Sequence, residues 1–299
     1  MHVGLQLDHA GSGVTASRVL EQARHAEASG LDSVWLFDHV LTPVELTSTY
    51  PYDATYPLAA EDPFLDPLGV IGVVAGATSR IQIGTQVLVA PYRHPIVVGK
   101  ALATIEQFAP GRVLCGLGSG WMREEFDALG VPFAGRGVRM DEYVAALRTV
   151  WSGTPAAFDG AVYRWEAAGF NPAPTQPIPI ILGGHAAPAR ARALRLGDGW
   201  ATILTALGDP SLAGSLAWLR GFREECDEAG RDPGAYDVLA CEQPLVFADR
   251  PDPGTPLSGP PEAIAEALHA LRGAGVTMIS LLADDAAVDR FAAEVRPLL

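Results

Sequence analysis

Positive charge is what this sequence has least of. Lysine occurs once, at Lys100, and all 21 basic residues together face 35 acidic ones, for a formal net charge of −14. Nucleic-acid binding draws its affinity from Lys and Arg clustered on phosphates, so that class of partner is excluded. No basic run is long enough to hold an anionic membrane surface. Cysteine is scarce too. Cys115, Cys226 and Cys241 are widely spaced and odd in number, which argues against a disulfide framework, offers no paired metal ligands and suits a reducing cytoplasm. No apolar run reaches the roughly 18 residues of a membrane span. The chain opens on a strand-like Met1 to Leu7, without the basic and apolar regions of a signal peptide, so none is expected.

What is present is apolar and regular. Hydrophobic residues make up 48% of 299 residues and charged ones 19%, which excludes a disordered chain and leaves enough apolar material for a sizeable core. Short apolar runs alternate with longer amphipathic segments, the signature of parallel βαβ units. Strands are expected at His2 to Leu7, Ser33 to Phe37, Ile81 to Val89, Arg112 to Leu117, Ile178 to Leu182, Gly199 to Ile203, Val238 to Phe247 and Thr277 to Leu282. Helices are expected at Ala16 to Ser29, Pro67 to Ala77, Pro95 to Phe108, Arg136 to Trp151, Ala186 to Leu196, Pro210 to Ala229, Pro260 to Arg272 and Asp284 to Val295. Eight of each in a chain of this length fit a single (β/α)8 barrel domain over residues 1–299. An open doubly wound sheet is the alternative, but Asp8 to Gly13 lacks the glycine spacing that such a fold places after its first strand. Two stretches exceed a minimal barrel. Residues 41–65, with Tyr50, Tyr52 and Tyr56, are read as a substrate lid or an ordered surface excursion. Residues 156–177 are read as a hairpin around Asp159-Gly160 with a Pro-rich connector.

A barrel carries its chemistry at the carboxyl ends of its strands. Asp38-His39 follows the second strand, where the pair could orient a ring, relay a proton or bind a metal, or else serve as a helix cap with an incidental histidine. Gly116-Leu117-Gly118-Ser119-Gly120-Trp121 follows the fourth; it permits close approach of a ligand or makes a tight turn at the rim. Gly183-Gly184-His185 follows the fifth strand and feeds a helix, an arrangement suited to a phosphate because main-chain N–H groups and the positive end of the helix dipole replace a basic side chain. His9, His94 and His185, with Asp38 and His39, are the residue types of a barrel metal site, but the His-x-His pair that such sites carry on the first strand is missing, which argues against a metal. Arg123, Glu124, Glu125 and Asp127 read as a solvated helix face.

These motifs resemble the luciferase-like monooxygenases, in particular the branch of oxidoreductases that use the deazaflavin coenzyme F420. The resemblance is carried by Gly30 to His39, Ile83 to Leu88, Gly116 to Val131, Ile181 to Gly184, Leu196 to Trp200 and Gly259 to Leu282, in one order over nearly the whole chain. It implies a (β/α)8 barrel with an insertion and a non-prolyl cis peptide at Gln86-Val87 supporting the central ring. It places Asp38 and His39 on the ring or substrate side, Gly118, Ser119 and Gly120 by the ribityl-phosphate region, and Gly183, Gly184 and His185 by the phosphate. Sugar-phosphate dehydrogenases of the family carry a catalytic glutamate where Trp121 stands, which makes oxidation of a sugar phosphate doubtful. Catalysis then falls to His39, as proton donor, beside Asp38. The implied function is hydride transfer between F420 and a small organic substrate, with no metal, and the assembly implied is a homodimer. The alternatives are an FMN-dependent monooxygenase, a non-catalytic flavin-binding protein and a metal-dependent barrel hydrolase.

Overall fold

The computed structural model describes residues 1–51, 55–204, 209–232 and 236–299. Strands and helices alternate as β1 (His2–Gln6), α1 (Ala16–Ala28), β2 (Ser33–Leu36), α2 (Pro67–Ala77), β3 (Gln82–Thr85), β4 (Leu88–Val89), α3 (Pro95–Phe108), β5 (Val113–Gly118), α4 (Arg123–Ala128), α5 (Arg136–Val150), β6 (Ala156–Asp159), β7 (Arg164–Ala168), β8 (Ile180–Gly183), α6 (Ala187–Leu196), β9 (Gly199–Ile203), α7 (Leu212–Glu228), β10 (Asp237–Phe247), β11 (Leu257–Gly259), α8 (Pro261–Gly273), β12 (Met278–Leu282) and α9 (Asp285–Arg290). The main sheet runs β11-β10-β12-β1-β2-β3-β5-β8-β9, with β4 on β5 and β9 also paired to β10. This parallel order, with a helix after each core strand, is a (β/α)8 barrel.

Sequence dictates many of the boundaries. Asp66 caps α2, its carboxylate accepting from the Leu68 and Gly69 N–H groups, and Pro67 supplies the preset φ of a first helical position. Ser211 and Asp284 cap α7 and α9 in the same way. The strands are apolar on successive residues because both faces are covered: β2 is buried throughout, as is β5.

The chain divides into two compact units, one of Met1–Leu7, Glu21–Trp35 and Ile181–Leu299, the other of Asp8–Leu20 and Leu36–Ile180. In the first, β1 lies between β12 and β2, with Leu5 opposite Leu281 and Val34, and β9 lies between β8 and β10. Its core includes Leu5, Val34, Trp35, Trp200, Leu239 and Ile279, all fully buried. In the second, β3 and β4 pair in turn with β5. The expected strand Ile81 to Val89 is thus two strands, interrupted at Gln86 and Val87, whose peptide bond is cis as the resemblance implies.

The second unit also holds the insertion over residues 156–177. Phe158 pairs with Trp165 across β6 and β7, and their rings stack at 4.9 Å. The Glu142 carboxylate on α5 accepts the N–H groups of Ala161, Val162 and Tyr163 at the hairpin tip. Glu106 on α3 accepts from Thr175 and Gln176 in the connector. Buried or half-buried carboxylates meeting main-chain donors fix this excursion against the helices.

Candidate active site

The site is built where β2 ends. Phe37, Asp38 and His39 leave the strand into a region closed by α4 and by the residues after β4. Asp38 is buried, and Arg93 grips its carboxylate with two bonds, Nη1 at 2.7 Å and Nη2 at 3.0 Å. The Val89 N–H donates to the same carboxylate at 2.9 Å, and Arg93 also reaches Asp66. Burial pushes the Asp38 carboxyl up, while the guanidinium and the Val89 N–H act the other way. With its oxygens taken, Asp38 is a structural tie between the end of β2 and the end of β4.

His39 is differently placed. Its Nδ1 lies 2.8 Å from Glu125 Oε2, and the Glu125 side chain is completely buried. The same carboxylate accepts the Val40 N–H at 2.6 Å, the Leu41 N–H at 3.3 Å and the Tyr92 hydroxyl at 2.6 Å. Glu125 thus lies inside the protein, not on a solvated helix face. The charge run Arg123 to Asp127 concealed this, since its four donors come from positions far away in sequence. A carboxylate on Nδ1 sets the tautomer in which Nδ1 carries the proton and Nε2 is the free nitrogen. Among the described residues Nε2 has no hydrogen-bond partner. Burial and the neighbouring Glu125 carboxylate push the Tyr92 phenol well up, so it stays a donor.

Aromatic rings surround the imidazole. Tyr56, Phe64 and Trp121 stand edge-on to it at centroid distances of 5.5, 5.8 and 5.8 Å, with Phe37 at 6.4 Å, and Tyr50 packs on Tyr56 and Trp121. Three of these rings come from residues 41–65, so that excursion lines the site; Tyr52 lies outside the described residues. Its base is fastened. Glu124 accepts from the N–H and hydroxyl groups of both Thr47 and Ser48, at 2.6–2.9 Å. Partial burial works against the Glu124 charge, but these bonds outweigh it and hold the carboxyl down to about 2. The anchor is therefore complete above the ordinary carboxylate range and is lost as pH falls toward 2. In Glu124→Ala, amide hydrogen exchange at Thr47 and Ser48 is expected to accelerate at neutral pH while α4 keeps its protection; unchanged exchange would remove the anchoring role.

The glycine run has a packing cause. A Cβ on Gly116 would sit 1.8 Å from the Thr85 carbonyl oxygen, and one on Gly118 would sit 2.3 Å from Val87 Cγ2. These glycines let β5 press against the break between β3 and β4, where the Gln86 N–H donates to the Leu36 carbonyl at 2.7 Å. Ser119 is half-buried, and the Gly120 carbonyl accepts from Arg136 Nε at 3.0 Å.

In the other unit, Gly183-Gly184-His185 leads from β8 to α6. Gly184 has φ +131°, a conformation reserved for glycine, and its N–H donates to the Ala201 carbonyl at 3.3 Å, so this donor is not bare. No side chain caps α6; Pro188 has no N–H and the Ala189 N–H donates to the Ala186 carbonyl at 2.8 Å, so the Ala187 N–H is the first-turn donor that faces an anion. His185 Nδ1 pairs with the Thr202 hydroxyl at 3.0 Å, and burial pulls its pKa down, keeping the ring neutral. Of the other histidines, His9 bonds the Phe37 carbonyl and His94 caps α3 at Ile96. Among the described residues no group of three or more His, Cys, Asp or Glu side chains is placed to hold a metal ion. Nor is any helix there long and apolar enough to cross a membrane.

Comparison with known proteins gives a consistent result. Residues 2–253 match the family model described as luciferase-like monooxygenase. An uncharacterised protein of Mycobacterium tuberculosis is 35% identical over 206 residues, 68% of this chain and 70% of that protein. The F420-dependent glucose-6-phosphate dehydrogenase of Segniliparus rotundus is 31% identical over 263 residues, 85% of this chain and 72% of that enzyme. Among solved structures, an F420-dependent secondary alcohol dehydrogenase in complex with an F420-acetone adduct superimposes with a TM-score of 0.78 at 20% identity, covering 100% of this chain and 99% of that one. A riboflavin lyase reaches the same TM-score at 15% identity, covering 100% and 91%. At those identities the two structures establish the fold alone.

Proposed function

The chain belongs to the luciferase-like monooxygenase family, and from that membership we propose that it is a coenzyme F420-dependent oxidoreductase acting on a small organic substrate. The observation that carries the reading is the buried His39–Glu125 pair beneath aromatic rings, in a chain whose relatives include F420-dependent dehydrogenases. A free imidazole nitrogen in a water-poor, ring-lined setting is what a hydride exchange at a carbon bearing oxygen requires of the protein, because a proton must be taken up or given back beside it.

The residues present fit the cofactor. The Ala187 N–H at the start of α6 and the neutral His185 with the Thr202 hydroxyl form a donor set for its phosphate without a basic side chain. In our proposal Gly183, Gly184 and His185 hold that phosphate, Gly118, Ser119 and Gly120 the ribityl-phosphate region, and Gln86 and Val87 the central ring. The bound deazaflavin supplies two-electron hydride chemistry. The protein's part is positional and electrostatic. Glu125 keeps the proton on His39 Nδ1, so Nε2 is the atom that takes or returns the substrate proton. Asp38, saturated by Arg93 and Val89, keeps the strand end in place and transfers nothing. Trp121, Tyr50, Tyr56 and Phe64 exclude water. The three cysteines are buried and form no disulfide, in keeping with a cytoplasmic enzyme, and a homodimer is part of the same proposal, open to light scattering.

Titration of the purified protein with F420 and with FMN, followed by fluorescence quenching, tests the reading. Saturable F420 binding is expected, with FMN far weaker. Tight FMN and indifferent F420 would reverse the assignment in favour of a flavin monooxygenase.

A further inference from the structure

Glu242 is the one non-glycine residue with positive φ among the described residues, at +53°. It lies in a bulge of β10: Ala240 pairs with Ile279 and Gln243 with Leu281, so three steps on β10 face two on β12. The Glu242 N–H donates to the Ser280 hydroxyl at 2.9 Å, which fixes the extra residue. A left-handed glutamate is intrinsically unfavourable, and bulges gather where a side chain has to be re-aimed. Glu242 and Gln243 also interrupt the apolar residues of a strand walled by β9 and β12.

Two neighbouring acceptors are left without donors. Among the described residues the Glu242 carboxylate has no hydrogen bond or ion pair, and burial alone pushes it up to about 7. The adjacent Gln243 is fully buried. Its Nε2 donates to the Cys241 carbonyl, which fixes the amide's orientation, and its Oε1 has no partner among the described residues. Beside them stand the Ser280 hydroxyl on β12 and the Cys241 thiol, which burial keeps protonated. Cys241 pairs with Ile203, the last residue of β9, and Gln243 with Leu281 near the end of β12, so Glu242 stands partway along the longer β10 but level with the carboxyl ends of β9 and β12, the end at which barrels bind ligands.

We infer that the carboxyl ends of β9 and β12, with the bulge of β10 between them, form a recognition site for a small molecule rich in hydrogen-bond donors, a hydroxyl- or ammonium-bearing compound, with Glu242 and Gln243 Oε1 as acceptors. The same acceptors repel a phosphoryl group. This deepens the oxidoreductase reading by naming the substrate class, and rests on it only in calling the ligand a substrate.

The test uses three probes on one carbon skeleton, cyclohexanol, cyclohexylamine and cyclohexyl phosphate, titrated by ligand-observed NMR into the full chain and into Glu242→Gln, each with and without F420. The amine and the alcohol are expected to bind the native chain more tightly than the phosphate. Glu242→Gln should weaken the amine roughly tenfold, the loss of a charge-assisted bond, and relax the discrimination against phosphate. The isosteric variant keeps the bulge and should melt no lower than the native protein, because it removes a desolvated carboxyl that bonds nothing. Equal binding of all three probes, or no response to Glu242→Gln in a folded variant, would overturn the inference. The probe pattern without F420 binding would sink the cofactor reading and leave this site standing; F420 binding without the pattern would sink this site alone.

Discussion

Glu125→Ala is expected to cost about 3–5 kcal/mol of stability and to reduce turnover roughly a hundredfold, with little change in F420 affinity. Both effects have one origin. The carboxylate is wholly buried and accepts four donors, two from the backbone of Val40 and Leu41, one from Tyr92 and one from His39. Removing it leaves those donors desolvated and unpaired, the costly side of the hydrogen-bond asymmetry. It also frees His39 to rotate or to exchange tautomers, so the nitrogen presented to substrate is no longer fixed. Glu125→Gln separates the two losses. An amide of the same shape still accepts at one oxygen, so the stability loss in chemical denaturation should be smaller. Its NH2 group opposes one of the former donors, so the His39 tautomer is no longer imposed. Nitrogen NMR of the imidazole should then show Nδ1–H in the native chain and a mixture in the variant, and kcat should fall with KM largely retained. An unmixed tautomer and undiminished kcat in a folded Glu125→Gln would remove the positioning role.

What the sequence makes legible follows from which forces are local. The βα alternation is readable because parallel strands covered on both faces must be apolar at consecutive positions, as in Ile178 to Leu182, and because proline and capping residues mark helix starts. Asp38-His39 is readable as a candidate because a barrel's strand ends carry its chemistry. Residue pattern alone does not reveal the interruption at Gln86-Val87: Ile81 to Val89 reads as one strand, and only the family resemblance implies a cis bond within it. Glu125 is hidden for a different reason. A lone acidic residue in a charged run looks solvated, and nothing nearby in sequence shows that Val40, Leu41 and Tyr92 converge on it. Glu242 did leave a signal, a carboxylate within the largely apolar Val238 to Phe247, since a strand walled on both sides has no ordinary place for an unpaired charge.

The glycines of β5 offer the second large effect, and they separate two kinds of crowding. Gly116→Ala puts a methyl 1.8 Å from the Thr85 carbonyl oxygen and 2.9 Å from its carbon. That oxygen belongs to main chain already fixed by the pairing of Ile83 and Gly84 with Val113 and Leu114, and by the Thr85 hydroxyl donating to the Gly116 carbonyl at 2.6 Å. No rotamer relieves the contact; the strands themselves must part. A loss on the order of 3 kcal/mol or more is expected, a melting temperature lower by roughly 6–12 °C. Gly118→Ala is different, because its methyl meets the tip of a side chain, Val87 Cγ2, at 2.3 Å. Shortening that side chain opens the space. Gly118→Ala should therefore be partly rescued by Val87→Ala, with a favourable coupling energy in the double-mutant cycle, whereas Gly116→Ala should gain nothing from Val87→Ala. Rescue of both, or of neither, would mean that the run is glycine for a reason other than the close approach of β5 to residues 85 and 87.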